Sequence, residues 1–229
     1  MSKILNNQIV FGGSETGFQA AKNIIFQKIR NCYHLLGQYE ASARRSRSDA
    51  EKIIKDCRID VYRELERVLK AKNRREIMLS EARASRRYWQ ALSLICHTEK
   101  YWTRTQKHPD DLLNKTINIG YHWLRVLCEQ ILKETGLFLD IGFLHSNNLT
   151  SPLAYDFMEQ FRQPFVDKII IPLFSRKRKV DEENIAKIVI AKCVKNLSPK
   201  LLNKEARILK NSILHQIQYN GYKHKWGHN

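Results

Sequence analysis

Apolar side chains recur at steps of three and four along most of this chain, the pattern of helices that bury one face. Phe18, Ala21, Ile25, Ile29, Cys32 and Leu36 mark a first long helix. Ser14 reads as its cap, Glu15 suits its first turn, and Gly37 is its expected stop. Ile53, Cys57, Val61, Leu65 and Leu69 mark the inner face of a second helix, from about Asp49 to Lys70. A third runs from about Arg74 to Cys96, with Ile77, Glu81, Ala84, Tyr88, Ala91 and Ile95 on one stripe. A fourth opens at Asp110 or Asp111 and stops at Gly136. Further helices are expected from Pro152, over about Asp181 to Lys195, and from Ser198-Pro199 to about Tyr219. Ile9-Val10-Phe11, closed by Gly12-Gly13, reads as a stub of strand. The predicted fold is all-α: a short segment over 1–13 and one helical bundle over 14–229.

Two positions in this pattern carry chemistry. Glu81 sits among apolar and small residues on the inward face of its helix. A buried carboxylate is normally paired with a cation, so a salt bridge to a lysine or arginine and a bound metal both remain open. The second position is the stretch from Ile141 to Asp167, where His145 precedes a short polar loop, then Asp156 and Glu159. Ser151 can cap a helix and Pro152 suits its first position. On that helix Asp156 and Glu159 share a face, while Phe157, Phe161 and Phe165 lie on another at spacing four. One nitrogen and two oxygen ligands could converge there on a divalent cation that also touches phosphate. The competing reading is a buried loop histidine beside a solvated acidic face.

Charge changes the balance between these readings. The 229 residues hold 40 Lys and Arg against 23 Asp and Glu, a formal net charge of +17. Such an excess favours a polyanionic partner, nucleic acid ahead of an anionic membrane surface. Two basic stretches, ASARRSRS over 41–48 and SRKRKV over 175–180, are phosphate-contacting candidates or solvated connectors. The C-terminal GYKHKWGHN is basic and expected to fray. Five scattered cysteines without a C-x-x-C pair argue against a disulfide framework or zinc ribbon and for a reducing compartment. The first residues lack the apolar core of a signal peptide, and no apolar run approaches the roughly 20 residues that span a bilayer. A cytoplasmic protein without a membrane segment is expected.

Three separated segments then carry a resemblance. SEARASRRYWQAL over 80–92, DLLNKTINIGYHWL over 111–124, and GFLHSNN followed by LAYDFMEQFRQPFVD within 142–167 resemble, in this order, the helical C-terminal catalytic domain of CRISPR-associated protein one. That family is the integrase and endonuclease of CRISPR adaptation. QAAKNIIFQKIRNCYHLL over 19–36 resembles the opening helix of the same domain. The resemblance implies Glu81, His145 and Glu159 as ligands of Mn²⁺ or Mg²⁺, with Asp156 beside them as a further catalytic residue. It implies metal-dependent cutting and joining of phosphodiesters in double-stranded or branched DNA. Arg83, Arg86, Arg87, Arg162, Lys177 and Lys179 are the candidate DNA contacts. Homodimers and a complex with CRISPR-associated protein two belong to the family as well. Both use a β-rich N-terminal domain, represented here by at most the stub before Gly13. The alternative is a basic helical DNA-binding module, or remnant, with little or no catalysis. One histidine with two carboxylates also resembles a non-haem iron triad, which the basic surface disfavours.

Overall fold

The computed structural model describes residues 3–98, 102–145, 150–176 and 182–226. Among these residues every regular element is helical: α1 Lys3–Gly13, α2 Glu15–Arg45, α3 Ala50–Lys70, α4 Arg74–Ile95, α5 Leu112–Glu134, α6 Pro152–Met158, α7 Lys168–Ser175, α8 Ile185–Asn196 and α9 Pro199–His215. None of them is long and apolar enough to cross a membrane. The long helix α2 packs on α3 and α4, while α5 packs on α8 and α9. Residues 152–175 thread between these two groups, touching α2 on one side and α5 on the other. The chain there tightens to a 3-10 turn over Glu159–Phe161 and widens to a π turn over Gln163–Asp167. Pro164 has no N–H to give to a regular helix, which suits a break at this point. Phe157, Phe161 and Phe165 pack ring against ring along the inner side, with centroids 5.2 and 6.3 Å apart.

Several local signals act as expected. Ser14 accepts the N–H of Gly17 at 3.1 Å and Asp111 accepts that of Asn114 at 2.8 Å, so both cap their helices. Gly136, with φ of 84°, ends the run after α5.

Others are overturned by tertiary contacts. Ile9-Val10-Phe11 is helix rather than strand. Its anchor is Gln8, whose amide donates to the carbonyls of Phe138 and Ile141 at 2.6 and 2.8 Å and accepts the Phe138 N–H at 3.1 Å. Gly17 completes the corner, since a Cβ there would stand 1.9 Å from the Phe11 carbonyl oxygen. Gly37 does not end α2. It lets Arg58 of α3 cross close to the helix and reach Glu40 at 2.5 Å. On α3 the buried stripe is Ile54, Cys57, Val61, Leu65 and Val68, while Ile53 and Leu69 are 43% and 57% exposed. Steps of four drift by about 40° each around a helix of 3.6 residues per turn, so a stripe read at constant spacing leaves the core at its ends. Ser151 has φ of 68° and makes no side-chain cap. The C-terminal segment is docked through Trp226 rather than frayed, its last three residues lying outside the described ones: Tyr219 is buried, and Tyr222 N–H donates to Gln160 Oε1 at 2.5 Å.

One buried acid ties the helix groups together. Asp167 accepts hydrogen bonds from Tyr88 of α4 and Tyr121 of α5, each at 2.8 Å. Burial pushes its carboxyl up to about 6 in spite of those two bonds. The folded state therefore holds this proton more tightly than the unfolded chain. The contribution is full below about pH 4 and is lost as pH rises through 6. Asp167→Asn is expected to stabilise the fold at pH 7.5 by about 1–3 kcal/mol, because one tyrosine hydroxyl can turn to accept from the new amide. Thermal melts at pH 7.5 and 4 check it; a variant less stable than wild type at pH 7.5 contradicts it.

Candidate active site

The site lies where residues 152–161 meet α2 and α4. Glu81 projects from the inward flank of α4, and Glu159 stands at the break after α6. Both carboxylates close on one ammonium group. Lys28 of α2 lies 2.5 Å from Glu81 Oε1 and 2.6 Å from Glu159 Oε2, with 8% of its side chain exposed. The two oxygens are thus no farther apart than two hydrogen-bond lengths. Arg162 holds the other Glu159 oxygen at 2.9 Å and lays its guanidinium over the Tyr121 ring at 4.6 Å. Ser85 donates to Glu81 Oε1 at 2.9 Å.

The charges sustain one another. Burial alone would raise Glu81, but Lys28, Ser85 and Arg162 bring it down to about 2. Burial is likewise outweighed at Glu159, where Arg162, Lys28 and His145 lower the carboxyl. At Lys28 burial is overcome by Glu159 and Glu81, and the ammonium is raised.

His145 enters from a turn folded around Asp156. That carboxylate is fully buried and accepts the backbone N–H groups of Phe143, Leu144 and His145 at 2.7, 3.0 and 3.0 Å. It also accepts His145 Nδ1–H at 2.6 Å. A carboxylate partner fixes the proton on Nδ1 and leaves the Nε2 lone pair available. Burial would lower this imidazole, but the Asp156 bond and the charges of Glu159 and Asp156 leave it raised. Gly142 makes the wrap possible, because a Cβ there would stand 2.8 Å from Asp156 Oδ2. Arg74, at the start of α4, secures the turn by donating to the carbonyls of Phe143 and Gly12, each at 2.6 Å.

The structure thus brings Glu81 and Glu159 onto one cation, and His145 onto Asp156 nearby. Among the described residues, no three His, Cys, Asp or Glu side chains form a group placed to hold a metal. One observation shows that the carboxylates nevertheless fit a cation: an ammonium already bridges them.

The remaining candidates lie elsewhere. Arg83 pairs with Glu64 at 2.9 Å, and Arg87 donates to Asp60 at 2.7 Å. With Arg86 they line a shallow surface between α3 and α4, on the flank of α4 that faces away from Glu81. Lys177 and Lys179 lie outside the described residues.

The sequence description of the family CRISPR associated protein Cas1 matches residues 3–207. The chain belongs to that family. It is 27% identical to CRISPR-associated endonuclease Cas1 1 of Archaeoglobus fulgidus over 238 residues, covering 96% of this chain and 67% of that protein. It is 34% identical to CRISPR-associated endonuclease Cas1 1 of Saccharolobus solfataricus over 155 residues, covering 64% of this chain and 42% of that protein. Against the latter, then, the chain spans less than half of the relative's length. The fold is similar to a chain of a partial Cas6-RT-Cas1–Cas2 complex, with a TM-score of 0.79, 21% identity, and coverage of 96% of this chain and 73% of the other. It is also similar to a casposase bound to integration product, with a TM-score of 0.74, 18% identity, and coverage of 98% and 74%.

Within this Cas1 fold, sequence reasoning passed over Lys28 and Arg74. Lys28 carried a usable signal: it interrupts the apolar stripe of α2 at helical spacing, as Glu81 does on α4. Arg74 carried none, because its partners are backbone carbonyls remote in sequence.

Proposed function

We propose that this chain is a divalent-metal-dependent DNA endonuclease and integrase of the CRISPR adaptation type. One observation carries the reading: two carboxylates from distant segments, Glu159 buried and Glu81 partly buried, converge on a single cation beside a histidine that Asp156 holds in one tautomer. Glu81 and Glu159, with His145 through Nε2, would hold Mn²⁺ or Mg²⁺. Such an ion polarises a phosphoryl oxygen and activates the attacking hydroxyl or water. The nitrogen ligand favours Mn²⁺.

The chain's own residues supply position and charge. Asp156 orients the imidazole. Arg162 holds Glu159 from the side of α5 and adds positive charge beside a DNA phosphate. Lys28 neutralises the carboxylates and keeps them together without a metal. The excess of lysine and arginine supplies backbone affinity without sequence choice, so binding weakens with salt. Double-stranded or branched DNA is the proposed substrate, with a second copy and Cas2 as the proposed protein partners.

One observation favours the alternative of a DNA-binding module without catalysis: Lys28 and Arg162 already balance the two carboxylates, which is how a site without a metal would be built. Incubation with linear, branched and single-stranded DNA in Mn²⁺, Mg²⁺ or chelator separates the two. Cleavage or strand joining is expected in Mn²⁺ and to fall at least about a hundredfold in Glu81→Ala. Salt-sensitive binding with no turnover in either metal would leave the binding module.

A further inference from the structure

Two basic stretches that the catalytic site does not use meet in space. The outer face of α2 presents Arg30, His34, Ala41 and Arg45 at helical spacing, and the irregular segment 221–226 runs beside it. Together with Arg58 of α3 they line a groove of about 670 Å³. In the segment, Tyr222, His224 and Trp226 are half-buried while Lys223 and Lys225 between them are exposed. The period of two turns the rings to the body and the ammonium groups outward.

The groove is positive: among the described residues no Asp or Glu lines it. Arg58 is paired with Glu40, but among the described residues no ion pair involves Arg45, Lys223 or Lys225. The histidines register this field. Burial lowers His224 to about 4, helped by Lys168 and Arg30, and burial lowers His34, helped by Arg30 and Arg58.

The aromatic groups are held in place. Trp226 Nε1 donates to Oδ1 of the buried Asn31 at 3.1 Å, and its ring stacks on His34 at 6.2 Å and 23°. Tyr33 lies 5.5 Å from the half-exposed ring of Tyr62, with Arg58 over its face at 4.8 Å. Asn31 Nδ2 also donates to the Gln160 carbonyl at 2.9 Å, which ties the groove floor to the residue after Glu159. Unpaired cations interleaved with fixed, partly exposed rings are the surface that single strands use. Phosphates meet the charges, and only unpaired bases can offer a face to the rings.

We propose that this groove is a second nucleic-acid subsite, across α2 from the carboxylates, that binds single-stranded DNA with phosphates on Arg45, Lys223 and Lys225 and a base against Trp226. It rests on the reading of the chain as a DNA-processing protein and adds the form of strand it holds outside the catalytic centre.

The test uses a fluorescein-labelled oligothymidylate and a duplex of equal length, each about fifteen nucleotides, with anisotropy read in EDTA on the full chain. Lys223→Glu combined with Lys225→Glu changes two exposed side chains that lie outside any helix and have no ion-pair partners among the described residues, so the melting temperature should not move. Its affinity for the oligothymidylate is expected to fall at least about tenfold, with a shallower salt dependence. Trp226→Leu is expected to weaken the single strand about fivefold or more and to leave the duplex within about twofold. The proposal is overturned if the charge-reversed variant binds the single strand as wild type does. It is equally overturned if Trp226→Leu weakens both substrates alike. Metal-dependent cleavage is assayed separately on Glu81→Gln and wild type. Cleavage with no groove dependence removes only the subsite, and groove-dependent binding in EDTA without cleavage removes only the catalytic reading.

Discussion

Lys28→Met is expected to destabilise the chain by about 3–5 kcal/mol in chelator, because it leaves the buried Glu159 and the partly buried Glu81 without the cation they share. For a chain of this size that is a drop in melting temperature on the order of 10 °C. Methionine keeps the length of the stem, so lost packing contributes little. The effect should then be reversed by metal. A divalent ion that binds the folded state alone, at a hundred times its Kd, contributes about 2.7 kcal/mol. In wild type the ammonium competes for the same oxygens, so Mn²⁺ should raise the melting temperature far less. Melts of both proteins in EDTA and in Mn²⁺ check this. An equal Mn²⁺ response in the two would show that Glu81 and Glu159 do not hold a cation in place of Lys28.

The same pair sets an acid limit. Glu81 is held down to about 2 against an ordinary value of 4.5. Its contribution to stability is therefore present above about pH 4.5 and is lost as pH falls toward 2. In Lys28→Met the main lowering partner is gone and burial alone raises this carboxyl, so that acid loss should shrink or reverse.

Asp156→Ala should be as severe for a different reason. It removes one acceptor from three backbone N–H groups and from His145 Nδ1. Each buried donor left unpaired costs about 1–3 kcal/mol, so the turn over 142–145 is expected to open rather than stay folded and unsatisfied. His145 then loses its tautomer and aim. Cleavage in Mn²⁺ should fall by about 10–100-fold or more, the range for losing a group that orients a metal-ligating histidine. Asp156→Asn keeps one acceptor oxygen and should recover part of the stability. The Nδ1–H resonance of His145 gives a direct reading. If it persists in Asp156→Ala, the imidazole is held by something else and the orienting role fails.

The sites differ in how far they could be read before folding. Glu81 was legible as an inward acid because the helix it interrupts is long and regular. His145, Asp156 and Glu159 were legible as candidates through family resemblance, which also set Asp156 apart from the two candidate ligands; their spacing alone did not. Asp156 and Glu159 share a helix face at spacing three, and nothing local says that one clasps a turn while the other meets Lys28. That division depends on the break at residues 159–167 and on which neighbours α2 and α4 bring. Arg162, a candidate either for phosphate contact or for a salt bridge to one of these acids, is paired with Glu159 and lies over the Tyr121 ring. Gln160 shows the same limit: it receives the Tyr222 N–H and holds the tail in the groove.

What the amino-acid order determined alone is what a single helix can express: an all-α chain, long helices from a 3.6-residue period, a cap at Ser14, a helix start at Asp110 or Asp111, and a strong positive charge. Those properties arise from neighbours within a turn or two. Tertiary structure decided the rest. It made residues 3–13 a helix through the Gln8 amide, carried α2 past Gly37, docked the C-terminal segment, and set Lys28 between Glu81 and Glu159. Each of these joins groups far apart along the chain, and a short-range pattern holds no information about which distant charge or carbonyl will satisfy a buried one.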